Sequence, residues 1–434
     1  MNGTGRREAA EGKRVKIMSR NRVALAATLM VCFVAGSAAA TDGYFSLGYG
    51  TPYKGMAGAG QALHLSTLAS ATNPATIAFV KGYDVGLALF APNREYSVSG
   101  NPSGYPGTFG LAPGTYESHS TGFVMPSMAG AWHLSEQFHL GLAIYGNGGM
   151  NTNYPNKVFG QSPTGINLMQ AFVSPSFTWE FAKHQAIGVA PIFGWQSFEA
   201  KGLGAFAMFS SDPKNLTDNG KSTSTGFGAR IGYHGKFGEY LGVGASYQTK
   251  IAMGEFKEYA GLFAGHGDFD IPENWTVGIA VFPSKCVTIA ADVQEIYYSK
   301  VASVGNPMLP NLMMAPLGAD NGAGFGWKDV TVFKIGLQWE VNPSWTLRAG
   351  YAHCDNPVQE SEVLFNILAP GVIQDHATVG VSTLLSDKTK LHFALMRAFS
   401  NSVEGPNPLE APGQQKIKLT MDQWEGEIGF SFGF

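Results

Sequence analysis

Charge is scarce in this chain. Only 14% of its 434 residues are Asp, Glu, Lys or Arg, where an average soluble domain carries roughly a quarter. Cysteine is scarcer still, with Cys32, Cys286 and Cys354 alone, too few for a disulfide scaffold. After the first forty residues no apolar run reaches the ~18 residues a membrane helix needs. Beyond those forty residues no block of Lys and Arg offers a nucleic-acid footprint either. Neither GxSxG nor HExxH occurs, the ten His residues show no metal-ligand spacing, and GMAGAG lacks the preceding strand of a nucleotide loop. The pattern therefore speaks against an enzyme, and no cofactor or metal is expected. HGDFD at 266–270 is a weak signal for a loop cation. Low charge without a spanning helix leaves a transmembrane β-barrel as the main membrane option.

What is present begins with a leader. Seven basic residues from Arg6 to Arg22 precede VALAATLMVCFVAG and an A-x-A site at Ala38–Ala40. This predicts a secretory signal over 1–40, with Met18 an alternative start. Its removal takes seven basic and two acidic residues, leaving 22 Lys+Arg against 30 Asp+Glu and a net charge of −8.

Period-two alternation then predicts fourteen strands over 81–434: 83–99, 122–134, 138–149, 166–182, 185–201, 222–237, 240–256, 272–284, 286–300, 328–341, 344–356, 373–385, 388–400 and 416–434. Six tight turns alternate with seven longer loops, the signature of an antiparallel 14-stranded outer-membrane barrel with both ends of the barrel domain periplasmic. In DVTVFKIGLQWEV, Phe333, Ile335, Leu337 and Trp339 are expected to face lipid, with Lys334 and Gln338 in the lumen. The ending WEGEIGFSFGF alternates likewise. Upstream, KIKLTMDQ places Ile417, Leu419 and Met421 on the opposite phase, which predicts either a bulge near Asp422 or apolar side chains turned inward. Residues 41–80 do not read as strand, and a lumen of this width gives them a place as a plug. The alternatives are a soluble β-sandwich, a general porin or a surface receptor.

GYGTPYKGMAGAG at 48–60 and LASATNPATIAF at 68–79 resemble the plug, or hatch, of the outer-membrane long-chain fatty acid transporters of the FadL/TodX type. DVTVFKIGLQWEVNPSWTLRAGYAHCDNPV resembles that family's tenth and eleventh strands, and Phe434 resembles the signal read by the barrel assembly machinery. The resemblance implies a monomer in outer-membrane lipid and lipopolysaccharide that takes up hydrophobic molecules passively: long-chain fatty acids, or alternatively aromatic or other neutral hydrocarbons. It implies a side gap at a kink in the third strand, here Gly146, Asn147, Gly148 and Gly149. A simple strand end in a Gly-rich loop is the plainer reading.

It also implies a capture groove on the third and fourth loops, matched by Leu203, Phe206, Met208, Phe209, Tyr259, Leu262 and Phe263. Such exposed apolar loops mark binding surfaces, though a purely structural cluster remains the alternative. Met308, Leu309, Leu312 and Met313 of the fifth loop extend the groove or pack the loops. In the hatch, Asn73, Pro74 and Ala75 should form a rigid turn near the gap, and Phe45 should touch cargo. A carboxylate cargo needs a lumenal cation; strand parity nominates Arg230, Lys334 and Arg348, with Lys250 weaker, and each is equally readable as an ion pair with Asp292, Glu340 or Glu425. A Cys286–Cys354 bridge is left open.

Overall fold

Fourteen strands close on themselves because one face of each is apolar and the other small or polar. The computed structural model describes residues 42–433; the signal segment, Met18 and Phe434 lie outside the described residues. The strands are β1 Gly82–Ser99, β2 Phe123–His133, β3 Phe138–Asn151, β4 Gly165–Ala182, β5 Gln185–Lys201, β6 Ser222–Phe237, β7 Leu241–Gln248, β8 Asn274–Ser284, β9 Val287–Ile296, β10 Val330–Asn342, β11 Trp345–Cys354, β12 Asp375–Ser386, β13 Thr389–Pro406 and β14 Lys416–Phe432. Each pairs antiparallel with its neighbours, and β14 returns to β1 from Tyr83↔Phe432 to Ser99↔Lys416. Two further short strands, Gly114–Glu117 and Ala252–Met253, attach to β1 and β6 outside this ring. No helix among the described residues is long and apolar enough to cross a membrane.

The alternation holds side chain by side chain. On β10, Phe333, Ile335, Leu337 and Trp339 point outward at 43–54% exposure, while Lys334 and Gln338 are buried inside. Two expected strands end early. The chain leaves β8 after Gln248 and rejoins the sheet only through Ala252–Met253 on β6, while Ile251, Met253 and Phe256 turn in to pack the loop core. It leaves again after Ile296, where Tyr298 swings into the lumen. On β14 the inward face runs without interruption through Ile417, Leu419, Met421, Gln423, Glu425 and Glu427. The apolar residues are therefore turned inward, and the register shift lies instead on β13, between Ala398 and Asn401.

Residues 42–80 are buried almost throughout and lie against the inward faces of the strands. Glycines make the room. A Cβ at Gly350 would sit 2.2 Å from the Met56 carbonyl carbon, and one at Gly244 would sit 2.1 Å from the Gln61 oxygen. Real Cβ atoms do not approach so closely, so any larger residue would displace the segment. Cys286 is exposed in a short turn, whereas Cys354 is buried at the far end of β11 with its thiol donating to Ile373 O. The two are not bridged.

Candidate functional site

The seam between β2 and β3 is incomplete. Their pairing runs only from His133↔His139 to Met128↔Ile144, although β2 continues back to Phe123 along β1. Beyond Ile144, β3 keeps its pairing to β4 but carries an extra residue at Asn147, where the register shifts between Gly146 and Gly148. Such a bulge bends a strand and ends pairing on one side. At the long-loop end contact resumes, with His119 N donating to Asn153 O at 2.8 Å. The stretch between these two points, called the window below, has no backbone ladder between β2 and β3, and Pro126 on its β2 lip has no N–H to offer across it. Met125 reaches into it, since a Cβ at Gly146 would lie 2.5 Å from the Met125 sulfur.

The freed stretch of β3 finds its partner in the N-terminal segment. Phe45 forms a β-bridge with Gly148. Ser46 N donates to Asn147 O at 2.8 Å, and Tyr49 Oη donates to Asn147 Oδ1 at 2.7 Å. Gly148 is where the two backbones approach closest, as a Cβ there would meet Tyr44 O at 1.8 Å. Phe45 packs edge-on against Tyr298 at 5.9 Å. The Asn73–Pro74–Ala75 turn sits elsewhere. Asn73 Nδ2 donates to Gln61 O and Tyr233 O, its Oδ1 accepts from Ala75 N, and Thr178 Oγ1 donates to Pro74 O. Gly188 and Gly232 open the space for it, so the turn is fixed on the β4–β6 wall rather than at the window.

Under the long loops lies an apolar cavity of about 40 Å3, lined mainly by Phe198, Leu203, Phe206, Leu262, Phe263 and Phe365. Four of the seven loop residues expected in a groove therefore meet there. Met208 does not: it is 84% exposed and turned away. Phe209 packs at the cluster's edge. Tyr259 is buried, with its hydroxyl donating to Gly220 O and accepting from Ala200 N, which makes it a brace between loops. Met308 and Leu312 are buried and Met313 is 61% exposed, so the fifth loop chiefly packs. Ring contacts lead down from this cavity: Phe198–Phe263 at 4.6 Å, Phe263–Phe269 at 4.9 Å, Phe269–Tyr44 at 6.1 Å and Tyr44–Phe45 at 5.5 Å. Phe45 delivers the series to the window.

The lumenal cations are mostly engaged. Lys54 pairs with Glu425 and with Glu427, the latter at 2.7 Å. Lys334 donates to Leu47 O at 2.9 Å and Gln294 Oε1 at 3.0 Å and faces Asp42 at 3.5 Å. Arg348 donates to Gln338 Oε1 at 2.8 Å and Ser382 Oγ at 2.5 Å. Arg230 donates to Ala71 O and Gln248 Oε1 and shares its cavity with the Asp292 carboxylate. These contacts tie the N-terminal segment to the wall or the wall to itself. Asp292 itself accepts from Gly60 N and Gln61 N, not from a cation. Lys250 lies outside the lumen and pairs with Asp270 at 2.5 Å, so an ammonium takes the place at HGDFD where a loop cation was considered. Sequence reasoning missed Arg94. It shares the inward face of β1 with Phe90 and Tyr96, and strand parity alone points to it.

A family model described as outer membrane protein transport protein (OMPP1/FadL/TodX) matches residues 32–416. No curated protein sequence matches the chain. Among solved structures, the toluene transporter TodX of Pseudomonas putida is 18% identical over 89% of this chain and 99% of that one, with a TM-score of 0.65. A FadL homologue of Pseudomonas aeruginosa is 16% identical over 90% and 98%, with a TM-score of 0.65. The toluene transporter TbuX of Ralstonia pickettii is 19% identical over 89% and 99%, with a TM-score of 0.60. At such identities these likenesses speak to the fold alone.

Proposed function

The chain belongs to the OMPP1/FadL/TodX family of outer-membrane transporters of hydrophobic compounds, and from that premise we propose a route and a cargo for it. Hydrophobic molecules enter through the apolar cavity beneath the third and fourth loops and move down beside the N-terminal segment, which acts as a hatch. They then leave sideways through the window between β2 and β3. The observation that carries this reading is the exchange of partners at Asn147, where β3 gives up β2 and takes the backbone of Ser46. A closed wall would need neither the bulge nor the glycine at 148. The motive force is the concentration gradient, and the chain works as a monomer with its short turns on the periplasmic side.

Long-chain fatty acids are the first cargo class, since an amphiphile can use both the apolar cavity and a lumenal cation. Neutral aromatic hydrocarbons are the second, favoured by the chain of rings from Phe198 to Phe45. Cells lacking the protein, supplied with labelled oleate or toluene, separate the two. No defect for either would reject transport, and rapid sugar swelling of liposomes holding the intact protein would mark it as a porin. The side route is tested by cysteines at Met125 and Gly146 in a Cys286→Ser background. Oxidation should stop uptake and reductant should restore it; uptake indifferent to the cross-link would rule the window out.

A further inference from the structure

We propose that Arg94 is a receptor for the carboxylate of an amphiphilic cargo at the long-loop end of the window, a site that rests on the transport reading and narrows its substrate class to hydrophobic carboxylates. Arg94 is 3% exposed. Its guanidinium spans the window's upper margin, one amine donating to Asn151 O at the end of β3 and the other to Ser120 O ahead of β2. The stem carries it over the ring of Phe123, 5.3 Å from the centroid.

Two neutral carbonyls leave this charge uncompensated. Among the described residues no carboxylate lies within ion-pair distance of it, and its Nε is buried without a hydrogen-bond partner. A guanidinium has five N–H donors and binds carboxylates in a two-pronged fork. Burying it without a counter-charge is costly, and a bound anion would offset that cost. Lys54 and Lys334 already have acids beside them, Arg230 has Asp292 lining the same cavity, and Arg348, likewise without an ion pair, has its Nε taken by Gln338 Oε1 where that of Arg94 is bare.

The surroundings suit an anion with a greasy tail. Arg94 and Asn151 are the polar members of a cavity of about 20 Å3 otherwise walled by residues such as Met150, Trp327, Pro370 and Met421. A single water needs roughly 10–15 Å3 of such space, so the cavity accepts only a small head group, whose first carbons meet the apolar walls while the rest of the tail lies outside it. A second donor waits close by. Tyr154 packs its ring on Tyr96 at 4.9 Å, two residues from Arg94 on the same face of β1, and its hydroxyl is buried without a partner, as is Asn151 Oδ1. A carboxylate accepting from Arg94 and Tyr154 would satisfy both. It would also compete with the Asn151 and Ser120 carbonyls, loosening the guanidinium's hold on the two lips as the cargo arrives.

The test measures binding of oleate and of methyl oleate to the purified full-length protein, alongside Arg94→Gln and Arg94→Lys. Arg94→Gln should weaken oleate ~10-fold or more, the range of a hydrogen bond to a charged group, and leave methyl oleate within ~2-fold; Arg94→Lys should retain part of the preference. Equal losses for acid and ester would make Arg94 a structural pin, and no loss for oleate would place the head group elsewhere; either result overturns the proposal. Displacement of oleate by acetate at millimolar concentration would assign the site to free small anions and overturn the amphiphile. Tyr154→Phe, read the same way, covers the case in which Arg94→Gln fails to fold. Because binding is measured apart from uptake, loss of the transport reading in cells is distinguishable from loss of this site.

Discussion

The backbone N–H of Ser46 donates to the carbonyl oxygen of Asn147 at 2.8 Å, so the end of β3 is edge-paired by a segment from the lumen and not by its neighbour in the wall. An edge of unpaired N–H and C=O groups is costly in a membrane, and this bond is part of what relieves it.

The close approach at Gly148 makes that contact sensitive to one methyl group. Gly148→Ala should push the Tyr44–Ser46 backbone off β3, because its Cβ would fall 1.8 Å from Tyr44 O. We expect faster proteolysis of the N-terminal segment and altered uptake, with barrel folding retained on gels. Unchanged protection and transport would show that the contact has no role.

Lys54 holds two acids, Glu425 and Glu427, each 3% exposed. Lys54→Met would strand both carboxylates in the lumen and should destabilise the protein by ~3–5 kcal/mol, read as a lower midpoint in urea. Adding Glu425→Gln and Glu427→Gln should recover most of the loss, since the uncompensated charges are then gone.

The loop cavity separates two residues that look alike in the sequence. Phe206 is 4% exposed and lines it, whereas Met208 is 84% exposed. Phe206→Ala should weaken binding of a hydrophobic probe several-fold, and Met208→Ala should leave it unchanged. Equal effects would relocate the capture surface to the outside of the loop.

Burial pushes the Asp268 carboxyl up from its ordinary value of 3.8 to about 6, with the charge of Asp270 adding to it. Between those values the unfolded loop releases its proton before the folded one, so loop stability falls as pH rises from about 4 to about 6. Hydrogen exchange in 257–270, corrected for intrinsic rates, should be slower at pH 4 than at pH 7.5, and Asp268→Asn should abolish most of the difference.

The barrel was largely readable because lipid outside and a filled lumen inside impose a strict period of two on every strand. Trp339 and Trp345 declare their face from sequence alone. Where the chain stops serving both solvents the signal fails. Ile251 and Met253 continue the alternation of β7 on paper but pack loops in the structure, since a buried apolar side chain looks the same in either place. The register shift beside Asn147 falls in the glycine cluster that the sequence singles out, yet the partner of that stretch was not legible, because Ser46 and Asn147 lie about a hundred residues apart in sequence. The same distance hides which cation is spoken for: nothing in the sequence around Lys334 announces Asp42. Arg94 was within reach by parity, and its lack of an acid emerges only when every neighbour has been placed.

The unbroken inward face of β14 has a consequence for direction. Ile417, Leu419 and Met421 present an oily lining at the long-loop end, and Gln423, Glu425 and Glu427 a polar one toward the short turns. Met421 stands opposite Arg94 in the β1–β14 register, so the changeover falls at the level of the Arg94 cavity. For a hydrophobic solute this stretch of wall therefore changes from favourable to unfavourable partway along. Going straight down means partitioning into the polar one; turning sideways into lipid does not. One strand, by changing the chemistry of its inner face partway along, favours the proposed lateral exit over a straight passage.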